Sequence, residues 1–268
     1  LGASPDREEL LKTAPRAAPG KPRRTPRLYV DQALAAGATV ELSAHQAHHL
    51  RTVLRLSSGA AVAVFNPTDG EWLARLAPIG GRREVLAVEA QTRRAEGEGD
   101  LWLMFAPIKR ARLDWLVEKA TELGASVLLP VWTRHTQSNR LNLERLRVHA
   151  IAAAEQSERL SVPELRPPQV LDVTLAEWPA DRRLLVCDES GAGEPVATAA
   201  ARLGPGPAAL LIGPEGGFDA TELDRLGNFS FVIRVGLGPR VLRADTAAIA
   251  VLAAFQAIAG DWRRPRFR

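Results

Sequence analysis

The sequence predicts an α/β protein in two unequal parts, a small β-rich barrel followed by a larger domain built on a parallel sheet. Three observations carry this expectation. From Arg27 to about Arg94, short apolar runs alternate with Gly, Pro, Asn and Asp at close spacing, the rhythm of a small barrel. Beyond Gly99 the strand-like runs become continuous and apolar, and helical periods lie between them, as in a sheet covered on both faces. Between the two, Arg93–Gly99 is polar and carries two glycines, a linker composition. The chain therefore divides into an extension over 1–25, a barrel over 26–94 and an α/β domain over 100–262.

Taken in order, the extension is rich in Pro, Ala, Arg and Gly and has no sustained apolar period, so it is expected to be disordered. It lacks the apolar stretch of a secretory signal, and Asp6, Glu8 and Glu9 argue against a mitochondrial presequence. Strands are expected at 28–30, 39–42, 61–65, 71–76 and 84–90. One helix interrupts them: Ser43 and Gln46 have capping-box spacing, and Ala47, Leu50, Val53 and Leu54 follow on one face. After the linker come a strand at 101–106, a helix marked by Leu113, Leu116, Val117, Ala120 and Leu123 and closed by Gly124, and a strand at 127–131. A long helix over about 143–160 stops before Pro163. A strand at 184–187, a short Ala-rich helix, a strand at 208–212, a helix from Asp219, a strand at 231–235 and a helix over about 245–259 complete the pattern.

Composition narrows the class. No apolar run approaches the roughly 18 residues of a membrane span, and the single cysteine, Cys187, excludes an internal disulfide or a cysteine-based zinc site. A cytoplasmic protein is expected. The basic pI of about 9.8 comes from the ends. Residues 1–27 hold seven Lys/Arg against three Asp/Glu, which equals the chain's whole net charge of +4, and the last eight residues hold four Arg against one Asp. Basic tails can bind phosphates or simply be solvated. His45, His48 and His49 share part of a helical face, but no HExxH or nearby carboxylate pattern accompanies them, so no metal site is expected.

Two glycine-bearing loops stand out because each directly follows a strand, where ligands sit in open α/β sheets. The first is Gly213-Pro214-Glu215-Gly216-Gly217-Phe218. Its glycines allow close backbone approach or positive φ. It is neither a GxGxxG dinucleotide fingerprint nor a phosphate-cradling P-loop. Asp219 and Glu222 open the next helix and would repel an anion there, so a neutral or cationic ligand suits it. From spacing alone, a plain strand-to-helix turn is the simpler reading of the same residues. The second loop runs Gly236-Leu237-Gly238-Pro239-Arg240-Val241-Leu242-Arg243, where Pro239 blocks a regular ladder. Two such loops at neighbouring strand ends favour one shared pocket.

Together, Ile212-Gly213-Pro214-Glu215-Gly216-Gly217-Phe218, Leu237 through Arg243, and Thr246-Ala247 resemble the RsmE family of 16S rRNA (uracil-N3) methyltransferases, of the SPOUT class. The likeness continues through Lys119–Gly124, Ala154-Glu155-Gln156-Ser157 with Arg159, and His48-His49-Leu50 with Val53-Leu54-Arg55, and covers nearly the whole chain from Pro26. It implies a trefoil-knotted parallel-sheet domain that binds S-adenosyl-L-methionine, a PUA-like RNA-binding barrel before it, 16S ribosomal RNA of the small subunit as substrate, and a homodimer paired across the site. The resemblance assigns the cofactor to Ile212, Gly213, Pro214, Glu215, Gly216, Gly217, Leu237, Gly238, Arg240, Val241, Leu242 and Arg243. Two departures stand out: Asp245 replaces a more usual Glu, one methylene shorter, and Arg110-Ala111 replaces a Gly-containing pair.

Methylation of uracil N3 needs the pairing edge exposed, so the base must be unpaired or flipped. A cation near the developing imide anion would help, which makes Arg243 the catalytic candidate, with Glu155 as a possible proton acceptor. RNA binding is expected from Arg27, Arg51 and Arg55 on the barrel side, and from Lys109, Arg110, Arg112, Lys119, Gln156 and Arg159 on the catalytic side. Another SPOUT enzyme, acting on a ribose 2′-hydroxyl or on transfer RNA, and a catalytically silent RNA-binding assembly factor are the alternatives.

Overall fold

The computed structural model describes residues 25–79, 83–137 and 140–263; the expected extension lies, but for Thr25, outside them. The first sheet holds β1 (Arg27–Tyr29), β2 (Thr39–Glu41), β3 (Ala61–Asn66), β4 (Gly70–Ile79) and β5 (Arg83–Arg93), in the order β1-β3-β4-β5-β2. β1 runs parallel to β3 and the other pairings are antiparallel. Register shifts after Glu71 and Leu73 break the long β4–β5 ladder, and such bulges bend a strand and strengthen its twist. The concave side is filled by Val40, Val62, Val64, Ala74, Leu76, Leu86 and Val88.

Leu50 plugs that core from just beyond the interrupting helix, α1 (Ala44–His48). Ser43 and Gln46 form the expected reciprocal capping box. The helix then changes character: His49–Val53 is a π turn, in which Leu54 N–H donates to His49 O. The wider turn rotates Val53 off the expected apolar face, leaving it 60% exposed.

The second sheet is wholly parallel. Its strands are β6 (Leu101–Phe105), β7 (Val127–Trp132), β8 (Glu164–Leu165), β9 (Gln169–Val170), β10 (Arg183–Cys187), β11 (Glu194–Pro195), β12 (Ala208–Ile212) and β13 (Val232–Gly236). The path is β11-β13-β10-β12-β6-β7-β8, with β9 also on β7. Alternate side chains divide two apolar layers, the period-2 consequence of the pleat. Leu101, Leu103, Phe105, Leu210 and Ile212 pack under α2 (Arg110–Glu122), α3 (Leu143–Ser157), α5 (Val196–Leu203) and α7 (Ala244–Ile258). Met104, Ala209, Leu211 and Val186 face α4 (Leu171–Ala176) and α6 (Ala220–Gly227). Phe105 is fully buried, and truncating it to Ala would cost about 3–5 kcal/mol through lost burial and the void left behind. None of the described helices is long and apolar enough to cross a membrane.

α3 is shorter than expected. It stops at Ser157 because Glu158 adopts a left-handed φ of 64°, and arginines of the small sheet receive its last carbonyls. Arg27 Nη1 donates to Ala154 O (3.0 Å) and Glu155 O (3.1 Å), and Nη2 to Arg159 O (2.7 Å). Arg93 Nη1 donates to Glu158 O at 2.8 Å. Phe65, Ala154 and Leu160 form an apolar cluster beneath these bonds.

Candidate functional site

The carboxyl ends of β10, β12 and β13 surround a cavity of about 590 Å³, within the range of small-molecule sites. The two glycine loops do meet there. Ile212–Glu215, Gly217 and Phe218 form one wall, and Gly236–Arg243 with Ala244 and Ala247 of α7 form another. Gly217 N–H donates to Pro214 O at 3.0 Å, closing a tight turn. Gly217 itself sits at φ +70°, so glycine is favoured by conformation; a Cβ there would also press on Glu189 Oε1, the mobile end of an exposed side chain. Gly216 turns the other way: it packs against His135 and lies outside the cavity lining.

A third wall, Cys187–Gly191 after β10, is absent from the sequence-based expectations. Its signal is nevertheless present, since Asp188-Glu189-Ser190-Gly191-Ala192-Gly193 follows an apolar strand as the other two loops do. Gly193 lets this loop return to β13: a Cβ there would lie 2.6 Å from the Val235 carbonyl carbon. Asp188 anchors it. Its carboxylate, 1% exposed, accepts from Arg234 Nη2 at 2.5 Å and Nε at 2.8 Å, and from Ser190 N–H at 2.9 Å. Burial pushes the Asp188 carboxyl up, but the Ser190 backbone and hydroxyl and the Arg234 guanidinium together bring it below its ordinary value. Cys187, beside it, is pushed up to about 12 by burial, which disfavours its thiolate.

The acids at 219 and 222 do not tune the site and have another task. Asp219 and Glu222 form a capping box at the start of α6, and the buried Glu222 also accepts from Arg134 N–H at 2.8 Å. Hydrogen bonds from Thr221 hold the Asp219 carboxyl below its ordinary value, helped by nearby Arg134. Neither lines the cavity; the carboxylates that do are Asp188, Glu189 and Glu215. The negative wall is real but comes from different residues.

The two residues expected to be catalytic, Arg243 and Glu155, are separated. Arg243 is exposed on the cavity wall as the N-cap of α7, and its own side chain makes no capping hydrogen bond. Glu155 is absent from the cavity lining and sits at the seam between the sheets, where Oε1 accepts from Tyr29 N–H at 3.0 Å. Burial raises its carboxyl, opposed by that hydrogen bond and by Arg27 and His45. Asp245 accepts from Thr246 N–H and lies 3.8 Å from Arg112 Nε, also off the cavity.

The basic residues divide as well. Arg51, Arg55, Lys109 and Arg110 are exposed; Arg51 pairs with Glu84. Gln156 is exposed too. Arg112 is half-buried on α2, where it faces Asp245. Lys119 is held by Glu118 and Glu122 at 2.7 and 2.8 Å, and these hydrogen bonds raise its pKa. Two expectations are corrected. Arg27 is bound by Glu71, by three carbonyls and by the Phe65 ring. Arg159 is buried on Thr121 O, Ala125 O and Glu98. Both guanidiniums hold the protein together and have few donors left for RNA.

Residues 95–256 match the RNA methyltransferase domain model, and residues 42–89 match the RNA methyltransferase PUA domain model. A ribosomal RNA small subunit methyltransferase E from Rickettsia conorii is 33% identical, covering 85% of this chain and 93% of that protein. One from Synechocystis is 30% identical over 82% and 74% of the two chains. The crystal structure of a ribosomal RNA small subunit methyltransferase E from Neisseria gonorrhoeae, bound to S-adenosyl methionine, superposes with a TM-score of 0.76 at 27% identity. That match covers 89% of this chain and 99% of the other.

Proposed function

The chain belongs to the RNA methyltransferase domain family that includes the small-subunit ribosomal RNA methyltransferases E, and from this premise we propose that it transfers a methyl group from S-adenosyl-L-methionine to N3 of one uridine in 16S rRNA. The observation that carries the reading is the convergence of two glycine turns and the start of α7 on one cavity at the sheet's carboxyl edge. The donor set fits the cofactor. Glu189 and Glu215 suit its cationic sulfonium and amino groups, Arg240 its carboxylate, and Phe218, Leu223, Leu237 and Leu242 its adenosine.

When bound, the cofactor supplies an electrophilic methyl carbon. The protein's part is to orient, exclude water and stabilise charge. The glycine turns bring main-chain groups up to the ligand without a Cβ between them. Asp188, fixed by Arg234, holds the third wall in place. Arg243, on the wall at the start of α7, would stabilise the negative charge on the uracil imide as the N3 proton passes to solvent water and N3 takes the methyl carbon in exchange for that carbon's bond to sulfur. Glu155, committed at the seam, takes no step in this scheme. RNA is gripped through exposed Arg51, Arg55, Lys109 and Arg110. The threaded connection and the pairing of two subunits extend to this chain by family likeness; Val241, 80% exposed on the cavity rim, is an apolar side chain for a second subunit to cover. A cytoplasmic location follows from the substrate.

The test is to incubate the protein with S-adenosyl-L-methionine and bacterial small subunits lacking the modification, then digest the 16S rRNA for nucleoside mass spectrometry. 3-Methyluridine is expected; a 2′-O-methylated nucleoside in its place would refute base methylation. Arg243→Ala should lower kcat on the order of 100-fold, as removing one preorganised donor does. Light scattering should give about twice the 29.0 kDa chain mass.

A further inference from the structure

A second cavity, about 320 Å³, lies between the start of α2 and the segment that leads into α3. Three arginines from separate stretches line it: Arg110, the first residue of α2; Arg140, ahead of α3; and Arg145, in the first turn of α3. Asn142 adds a polar group, and Ile108, Leu113 and Leu141 make an apolar floor. Among the described residues no carboxylate lines the space. Asp114 lies behind it and holds Arg145 from outside the lining, so one guanidinium is fixed in place while its neighbours Arg110 and Arg140 stand exposed at the rim.

Three guanidinium forks around an apolar floor are the complement of a phosphodiester attached to a ribose and base. Guanidinium forks match the paired oxygens of phosphate, and the floor suits a sugar or base face. Position strengthens the case. The cavity opens just beyond the ends of β6 and β7, on the same carboxyl edge as the cofactor cavity beyond β10, β12 and β13, where ligands of open α/β sheets collect. The two are physically linked: Ala106 N–H, at the end of β6, donates to Ile212 O at the start of the first glycine loop. Arg112, two residues along α2 from Arg110, faces Asp245, whose neighbours Arg243 and Ala244 line the cofactor cavity.

We infer that the Arg110–Arg140–Arg145 cavity grips a backbone phosphate of the substrate RNA beside the nucleotide being methylated. This rests on the proposed function and adds to it a substrate-positioning site that flanks the methyl-transfer cavity.

The experiment measures fluorescence anisotropy of a small-subunit rRNA transcript with the protein over a range of salt concentrations, alongside calorimetry with S-adenosyl-L-methionine. The Arg110→Ala/Arg140→Ala double variant spares the Asp114–Arg145 pair and so avoids leaving a buried carboxylate alone. It should raise Kd about 30-fold, as loss of charge-assisted hydrogen bonds does. It should also flatten the slope of log K against log salt by about 0.7, the share of one phosphate that is no longer neutralised. Cofactor affinity should not change. Arg225→Ala, which removes an exposed arginine on α6 in the opposite layer, should leave the slope as it was. An unchanged slope in the double variant, or an equal change in Arg225→Ala, overturns the phosphate site while leaving the methyltransferase reading intact. Failure of the unaltered protein to bind the transcript at all overturns both.

Discussion

At the seam between the two sheets, the Arg27 and Arg159 side chains are 10% and 8% exposed and direct their donors at main-chain carbonyls and a carboxylate apiece. On the rim of the large cavity, Arg240 and Arg243 stand exposed on a loop whose path is set by glycine and proline. The chemistry is the same and the use is opposite. The seam is over-determined: removing any one partner leaves a buried polar group behind, so changes there should register in stability. The rim is built of main chain and open side chains, so changes there should register in binding. Buried arginines join the domains, whereas backbone shape makes the site.

The sharpest way to break this contrast is Arg27→Ala. It strands Glu71 and three carbonyls at once, and should cost about 3–5 kcal/mol by analogy with broken buried ion pairs. Calorimetry should show Tm lower by about 10 °C for a chain of this size, with the cofactor Kd unchanged in protein that remains folded. A large loss of cofactor affinity without a fall in Tm would mean that the seam belongs to the site after all. Gly217→Ala addresses the other region. A side chain at φ +70°, placed against Glu189, should cost about 2 kcal/mol of local strain. The variant turn relaxes to relieve that strain and the cofactor must restore it on binding, so affinity should fall by up to about 30-fold; titration calorimetry against the unaltered protein checks this, and a fall in Tm with Kd unchanged would show that the strained turn persists without ligand.

Asp188 lies between the two regimes, since it is buried like the seam yet forms part of the cavity wall. Its folded carboxyl is lowered, so it contributes stability that is present above the ordinary Asp value near about 3.9 and is lost as pH falls through the folded value. Asp188→Asn should destabilise the fold at neutral pH by about 1–2 kcal/mol of hydrogen bonding to a charged partner, the smallest free-energy change of the three. The difference from the unaltered protein should close as pH is taken from about 5 toward 2. A gap that persists unchanged across that range would show that Asp188 acts through shape and not through charge.

Much of this is legible in the sequence. The change in rhythm near the linker, the Ser43–Gln46 capping box and the strands leading to each glycine loop are local patterns, and the structure keeps them. The third loop is legible in kind, because it repeats the strand-then-glycine pattern, but its joining the same cavity depends on β10 lying between β12 and β13. Short pieces such as β8, β9 and β11 span two residues each, too few for any period to show. The roles of the acids at 219 and 222 are not legible, because residue type alone does not reveal which donors a carboxylate faces.

By itself the sequence determined the two-part α/β architecture, the turns that only glycine permits and the family likeness, because periodicity, capping and backbone conformation depend on neighbours along the chain. Tertiary structure alone decided which arginines are buried struts and which are exposed, that Glu155 stands at the seam and not at the large cavity, and that three loops from distant stretches enclose one cavity. Those outcomes depend on burial and on partners brought together by strand order, and neither is written in the spacing of residues.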